Sequence, residues 1–275
     1  MSSFAILTDV TKCTGCESCV LACKTTNETG LRDAPRKWQG EATDLSSTRW
    51  TTIARTEDRH VRVHCRHCLE PGCAAACPVG ALHTTAEGVV AYDPSICLGC
   101  RYCMMACPFR MTRYEWESAN PRVRKCILCY EKLSDGELDQ PACTAACPEG
   151  ATVFGERDAL LAEAKKRIVD HPDRYLDHIW GEHEVGGTSV LYISDVDLVQ
   201  AGWPASLPDG LVPEPSDMVL HTVPATFGPV GVAMAGIPRG IKRRQKLARA
   251  AAAALPVGDG NDPAATDTPA DEEQS

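Results

Sequence analysis

The spacing of the cysteines constrains this chain more than any other feature of its sequence. All sixteen fall between Cys13 and Cys147, and they form four groups of four in a chain of 275 residues. A chain of this length can bury an ordinary hydrophobic core, so it does not need disulfides to fold. The groups are Cys13, Cys16, Cys19 and Cys23; Cys65, Cys68, Cys73 and Cys77; Cys97, Cys100, Cys103 and Cys107; and Cys126, Cys129, Cys143 and Cys147.

The spacing within these groups is typical of ligands to 4Fe-4S clusters. The first and third groups both read Cys-x2-Cys-x2-Cys-x3-Cys. Three thiolates converge from one tight loop in this pattern, while the fourth turns towards the other cluster of a pair. The second group separates its middle cysteines by four residues, and the fourth group separates them by thirteen. Gly15 and Gly99 precede the second cysteine of their groups, where we expect positive φ to bring the backbone close to a cluster.

Other uses of cysteine fit the pattern less well. A zinc ribbon needs two Cys-x2-Cys pairs for one ion and would leave the remaining cysteines of each group surplus. Close Cys-x2-Cys neighbours seldom form structural disulfides, and no such pair is followed by the His that c-type haem attachment requires. Four complete sets leave no iron open to a substrate, which disfavours catalysis at a cluster. The sequence therefore predicts four 4Fe-4S clusters.

The charge pattern agrees with anionic clusters and argues against nucleic-acid binding. The formal net charge is -9 and only 5% of residues are aromatic. We expect about half of the basic residues near the ligands to compensate cluster charge and the rest to be solvated. His64 and His67 also flank ligands, but as exposed histidines they would have no assignable role. The basic residues beside or between ligands are Lys12, Lys24, Arg66, Arg101, Arg110, Arg113, Arg124 and Lys125.

The residues alone leave two pairings of the groups open. From Cys65 to Cys107 the spacing is that of one contiguous two-cluster ferredoxin, which would make the outer groups pair with each other across it. The sequential alternative joins the first group with the second and the third with the fourth, and the intervals permit it equally.

The chain resembles the iron–sulfur subunits of membrane-bound molybdopterin oxidoreductases, and most of all those of respiratory formate dehydrogenase and the hydrogenase-2 type. The resemblance extends over roughly residues 5 to 240. It implies an α+β fold of nested two-cluster ferredoxin domains, followed by a C-terminal helix that is a candidate membrane span. The passages that carry the resemblance are 7–16, 97–109, 124–129, 141–143 and 184–193.

The resemblance also implies which cysteines share a cluster. Its nested pairing assigns Cys13, Cys16, Cys19 and Cys147 to cluster 1; Cys65, Cys68, Cys73 and Cys107 to cluster 2; Cys97, Cys100, Cys103 and Cys77 to cluster 3; and Cys126, Cys129, Cys143 and Cys23 to cluster 4. By the same resemblance, the protein carries electrons between a molybdopterin or nickel–iron catalytic subunit and an integral membrane quinone-reactive or cytochrome subunit, and is not catalytic alone. A soluble polyferredoxin is the alternative.

The sequence after the clusters divides into further segments. We expect residues 1–155 to form the double-ferredoxin domain and 156–203 to form a packing extension with a helix over 158–169 and a strand over 189–194. A Pro-rich connector follows at 204–217 and a membrane-associated segment at 218–241. Residues 242–275 read as a basic stretch and then a disordered acidic tail.

The uncharged run 218–238 is long enough to span a membrane, although prolines and polar residues interrupt it. Basic residues follow this run, so the positive-inside rule would place the C-terminus in the cytoplasm and the cluster domain on the extracytoplasmic face. No export signal precedes Cys13, so this location requires co-export with a signal-bearing partner. The cytoplasmic face of the membrane is the alternative.

Overall fold

The computed structural model describes residues 3–29, 45–56, 58–207, 209–210 and 214–253. It divides the chain into two compact units, Met1–Asp217 and Met218–Ser275. In chain order the strands and α-helices of the described residues are β1 (Phe4–Asp9), α1 (Ser18–Thr26), β2 (Thr51–Arg55), β3 (His60–His64), α2 (Gly72–Ala75), β4 (Leu82–Thr84), β5 (Val90–Tyr92), α3 (Tyr102–Ala106), β6 (Arg113–Tyr114), β7 (Val123–Arg124), α4 (Tyr130–Ser134), α5 (Ala142–Ala145), β8 (Thr152–Glu156), α6 (Arg157–Asp170), β9 (Val190–Ile193) and α7 (Glu214–Ala253). This mixture of helices and strands confirms the α+β class.

A three-stranded sheet joins the beginning of the first unit to its end. Strand β1 lies in the centre, antiparallel to β8 and parallel to β9. Leu7 of β1 lies opposite Val153 on one side and Leu191 on the other. All four residues of β9 are buried, as expected of a continuous apolar strand covered on both faces.

The two faces of this sheet pack against different partners. Successive residues of a strand point to opposite faces. Ala5 and Leu7 therefore pack with Leu160, Ala164 and Ile168 of α6. The predicted helix 158–169 is confirmed within α6, although Val169, which continues its apolar spacing, is 76% exposed. The predicted strand 189–194 is confirmed as β9.

The opposite face of the sheet carries cysteine-bearing segments. Ile6 packs there with Cys19, Val20 and Cys143, which lie on α1 and α5. The remaining strands form three antiparallel hairpins, β2–β3, β4–β5 and β6–β7. In the first of these, Thr51 lies opposite His64 and Arg55 opposite His60, so the hairpin is in register over its whole length. The short helices α2 and α3 place Cys73 and Cys103.

Helix α7 is the main feature of the second unit. It begins at Glu214, inside the predicted connector, and continues to Ala253 in the predicted basic stretch. Most side chains of the candidate span 218–238, and all of 254–275, lie outside the described residues. Within the described part of the chain, no helix combines the length and the apolar character needed to cross a membrane.

Candidate metal centres

Three cavities in the first unit are each lined by four cysteines, which we call the first, second and third sets. The cavities have volumes of about 400, 340 and 320 Å³, including the part open to solvent. Each set combines three cysteines of one loop with one from a distant group. The first set is Cys13, Cys16, Cys19 and Cys147; the second is Cys65, Cys68, Cys73 and Cys107; the third is Cys77, Cys97, Cys100 and Cys103.

The remaining cysteines, Cys23, Cys126, Cys129 and Cys143, form a fourth set. Burial raises the pKa of Cys23 to about 12, and the neighbouring thiolates of Cys143 and Cys129 contribute to this shift. Burial likewise raises the pKa of Cys126 well above its usual value, with contributions from Cys23 and Cys143. In placement, the four sets match the nested arrangement, because Cys147 lies with the first group and Cys77 with the third.

None of the sixteen cysteines forms a disulfide. Among the described residues, no three His, Cys, Asp or Glu side chains are arranged so that they could hold a single metal ion. A cubane core occupies the space between its four thiolates, so its ligands are more widely separated than those of one ion. Buried thiols such as these must lose their protons before they bind a metal, which couples metal binding to proton release.

A left-handed residue precedes the second cysteine in all four groups. Its φ is 71° at Gly15, 49° at His67, 69° at Gly99 and 56° at Leu128. The expectation of positive φ at the two glycines is confirmed. At Gly15 a side chain is also excluded sterically, because a Cβ would lie 1.6 Å from Cδ2 of His60. His67 and Leu128 hold the same conformation at a cost of roughly 1–3 kcal/mol each, as strained residues do at functional sites.

Backbone and side-chain N–H groups donate to several of the sulfurs. The N–H of Leu128 donates to Sγ of Cys126 at 3.4 Å, and the N–H of Met111 donates to Sγ of Cys107 at the same distance. The side-chain amide of Asn27 donates to Sγ of Cys23 at 3.7 Å. Hydrogen bonds to cysteine sulfur stabilise the anionic ligands of an iron–sulfur cluster and help to set its potential. The loops therefore fit a cubane cluster.

The four sets form a row in the order first, fourth, second, third. Burial and the Cys143 thiolate of the fourth set raise the pKa of Cys19 in the first set to about 11. Cys65 of the second set contributes to the raised pKa of Cys126 in the fourth. Burial raises the pKa of Cys73 in the second set to about 12, and Cys103 of the third set adds to this. Packing gives the same neighbours, because each pair belongs to one cluster of buried residues: Cys19 with Cys143, Cys126 with Cys65, and Cys73 with Cys103.

Solvent exposure follows position in the row. The only exposed cysteines are Cys16 in the first set and Cys100 in the third, which are the two ends. All four cysteines of the fourth set are buried, and the second set is half-buried. The pKa of exposed Cys16 is lowered, mainly by hydrogen bonding with the Ser18 hydroxyl. The interior of the row is thus dry and its ends are open to solvent.

Of the basic residues near the ligands, three are buried and five are not. Lys24, Arg66 and Lys125 are at most 6% exposed. The Lys125 ammonium lines the second cavity and donates to the backbone carbonyls of Val90 and Cys126. The guanidinium carbon of Arg66 lies 4.5 Å from the ring centres of both Tyr192 and Trp203. The half-buried or exposed ones are Lys12, Arg101, Arg110, Arg113 and Arg124.

The expectation that His64 and His67 are exposed was wrong. Both side chains are completely buried, because strand β3 and the loop after it are covered by the rest of the domain. Nδ1 of His67 accepts a hydrogen bond from the N–H of Val90 at 3.1 Å. Burial holds the pKa of both imidazoles well below the usual value.

Sequence reasoning also missed Arg62, which lies three residues before the nearest ligand. This residue lines the first cavity, and its Nη2 donates to Sγ of Cys143 in the fourth set at 2.8 Å. In strand β3, His60, Arg62 and His64 alternate with Val61 and Val63, which is typical of a strand with one face in solvent. The sequence pattern therefore carried no signal that Arg62 is buried.

Comparisons with known proteins agree with this geometry. The family model of a 4Fe-4S dicluster domain matches residues 59–157. A protein of Nitratidesulfovibrio vulgaris is 38% identical over 259 residues, which cover 90% of this chain and 69% of the relative. The hydrogenase-2 operon protein HybA of Escherichia coli O157:H7 is 32% identical over 80% of this chain and 78% of its own. The iron–sulfur subunit of the nitrate-inducible formate dehydrogenase of Escherichia coli K12 is 36% identical over 69% of this chain and 67% of its own.

Proposed function

The chain belongs to the family of ferredoxin-type iron–sulfur electron-transfer subunits that includes those of formate dehydrogenase and hydrogenase-2, and from this premise we propose that it conducts electrons through four 4Fe-4S clusters. A bound cluster supplies a one-electron redox centre whose potential depends on net charge, hydrogen bonds to sulfur and solvent exposure. The single observation that carries the proposal is the row of four cysteine sets, with exposed thiols only at its ends.

In this proposal each set holds one cluster. Residues 13–19 with Cys147 hold cluster 1, residues 65–73 with Cys107 hold cluster 2, residues 97–103 with Cys77 hold cluster 3, and residues 126–143 with Cys23 hold cluster 4. The cavities, the N–H donors to sulfur and the left-handed residue in each loop support these assignments. Electrons pass through the sets in the order first, fourth, second, third, or in the reverse order.

The two open ends of the row are where redox partners dock. At the third set, apolar side chains surround exposed Cys100, and Leu98 and Met105 are 70% and 87% exposed. At the first set, Cys16 is exposed, and Leu21 on the neighbouring helix α1 is 59% exposed. Large apolar side chains in water favour burial against another protein. One partner is a molybdopterin or nickel–iron catalytic subunit, and the other is a quinone-reactive or cytochrome subunit of the membrane.

Membrane association through 218–241 is part of the same proposal. The basic residues after this segment favour a cytoplasmic C-terminus and an extracytoplasmic cluster domain. If this orientation is right, protease should digest the cluster domain in cells whose outer envelope has been made permeable while the cytoplasmic membrane stays intact. Digestion only in inside-out vesicles would place this domain on the cytoplasmic face.

Iron analysis of the anaerobically purified chain tests the central claim. Iron and acid-labile sulfide should each approach about sixteen per chain, as four cubane clusters require. About eight of each would reduce the proposal to two clusters, and zinc in place of iron would refute it. Identification of the large subunit that co-purifies with the chain would then identify the catalytic partner.

A further inference from the structure

Arg62 is a deeply buried cation in contact with two of the cysteine sets. It lies on β3, between Val61 and Val63, and is 1% exposed. Alternation along the strand sends the valines into the hydrophobic core and turns Arg62 to the opposite face, towards the cysteines. Burying an unpaired guanidinium is costly, so its position must be stabilised by anionic neighbours.

The contacts of Arg62 identify those neighbours. Nη2 donates to Sγ of Cys143 in the fourth set at 2.8 Å, and Nε donates to Oγ1 of Thr51 at 3.2 Å. Nη1 is buried and has no hydrogen-bond partner among the described residues. The same side chain lines the first cavity, where it is the one cation among the described lining residues, which include Glu17 and Glu149.

The rest of the domain holds Arg62 in this place. Its backbone carbonyl accepts a hydrogen bond from Oη of Tyr192 on β9 at 2.9 Å. Tyr192 is completely buried and packs against Arg66 and Trp203. The guanidinium is thus fixed, with one amino group on the fourth set and the other free to face the first.

A fixed buried cation has a defined effect on a redox centre. It stabilises the reduced, more negative state relative to the oxidised state, and so raises the potential. Low dielectric and the absence of screening salt make this effect larger inside the protein than at its surface. A planar guanidinium can donate to acceptors on two sides at once, which an ammonium group does less well.

We propose that Arg62 positions one positive charge between the first and fourth clusters and raises the redox potentials of both together. The inference rests on the proposed function, because it requires that both sets hold clusters. Arg62 is a positioning residue in this role, since the electrons reside on the clusters. The second and third clusters lie further along the row and are affected less, because the interaction decreases with distance.

Redox titration of the full chain, followed by electron paramagnetic resonance, tests the inference. In R62Q, which removes the charge and keeps a donor, two of the four midpoint potentials should shift downwards clearly more than the other two. R62K should shift the same two potentials less. The signal of the first cluster is identified separately by C16S, which alters an exposed ligand of that cluster alone.

Arg59 provides the matched control on the same hairpin. Its guanidinium pairs with Asp195 at the surface and makes no contact with a cysteine among the described residues, so R59Q should leave all four potentials unchanged. Unchanged potentials in R62Q, or an equal shift of all four, would overturn the inference. So would failure of both R62Q and R62K to assemble four clusters, since Arg62 would then be an assembly residue. Wild-type protein without about sixteen irons would instead refute the proposed function.

Discussion

The third and fourth cysteine sets differ in burial although their ligands have the same chemistry. The third set lies at one end of the row, with Cys100 exposed and apolar side chains around it. All four cysteines of the fourth set are buried, and helices α1 and α5 carry two of them, Cys23 and Cys143. Cys143 also accepts a hydrogen bond from Arg62. The spacing of the cysteines defines the geometry of the ligands, whereas the covering elements decide whether a site exchanges electrons with a partner or only with its neighbours in the row.

Replacing one cysteine ligand should have the largest effect on iron content and yield. This effect should also differ most between the third and fourth sets. In C143S, water cannot easily replace the lost thiolate in a buried site, so we expect the loss of about four irons per chain and of most folded protein. In C100S, solvent or the serine can complete the coordination, and most of the iron should remain. Iron content and yield measure both. Equal iron loss in the two variants would show that burial does not separate the sets.

Removal of a buried cation between the second and fourth sets should have the next largest effect. K125M leaves the carbonyls of Val90 and Cys126 without their donor, and each buried unsatisfied group costs about 1–3 kcal/mol. Anaerobic thermal unfolding, followed by the bleaching of cluster absorbance, should show a clearly lower midpoint. The control K132M removes an exposed ion pair with Glu137 and should cost no more than about 1 kcal/mol. Similar midpoints for the two variants would contradict the prediction.

A charge at the open end of the row should slow electron exchange without affecting stability. M105D places a carboxylate on a side chain that is 87% exposed beside the third set. We expect electron transfer to or from the co-purified partner to slow by about tenfold, which corresponds to about 1.4 kcal/mol of lost docking. Stopped-flow absorbance of the clusters measures the rate. V169D, at a site 76% exposed on α6, is the control, and an equal decrease in V169D would exclude a specific docking surface.

The smallest effect on stability should come from the ion pair between Arg59 and Asp195, at the exposed end of the hairpin that carries Arg62. Hydrogen bonding from Arg59 holds the pKa of Asp195 below its usual value. The resulting stabilisation is fully present above the unfolded-state pKa of about 3.9 and is lost only as the pH falls through the lower folded-state value. D195N should therefore cost at most about 1 kcal/mol. The cost should be the same at pH 6 and pH 8 in thermal unfolding, and a cost that changes between these values would contradict the assignment.

Much of the candidate site could be predicted from the sequence because ligand spacing is a local property. The groups around Cys16 and Cys100, with their left-handed glycines, are recognisable in single short segments. Which groups meet in space could not be derived from spacing alone, since the intervals allow two pairings. Only a resemblance favoured the nested arrangement, in which Cys147 and Cys77 join loops far from them in the chain.

The burial of polar residues in the interior of the row could not be predicted from the spacing of the cysteines. His64, His67 and Arg62 are polar residues whose environment depends on how a hairpin packs over loops that are distant in sequence. Helix α6 was predicted well because its apolar residues recur at helical spacing and it packs on a neighbouring sheet. Its last turn was predicted less well, because Val169 satisfies the periodicity and still points into solvent.

The pairing of β1 with β8 and β9 determines when the domain can be completed during synthesis. Residues 4–9 leave the ribosome long before their strand partners, which lie at 152–156 and 190–193. The first and fourth sets also combine cysteines from both ends of this stretch, whereas the second and third sets draw only on residues 65–107. With the proposed assignment of ligands, synthesis as far as residue 107 supplies every ligand of clusters 2 and 3. Clusters 1 and 4 need residue 147, and the sheet that packs against their ligands needs residue 193, so these two clusters are completed after the other pair.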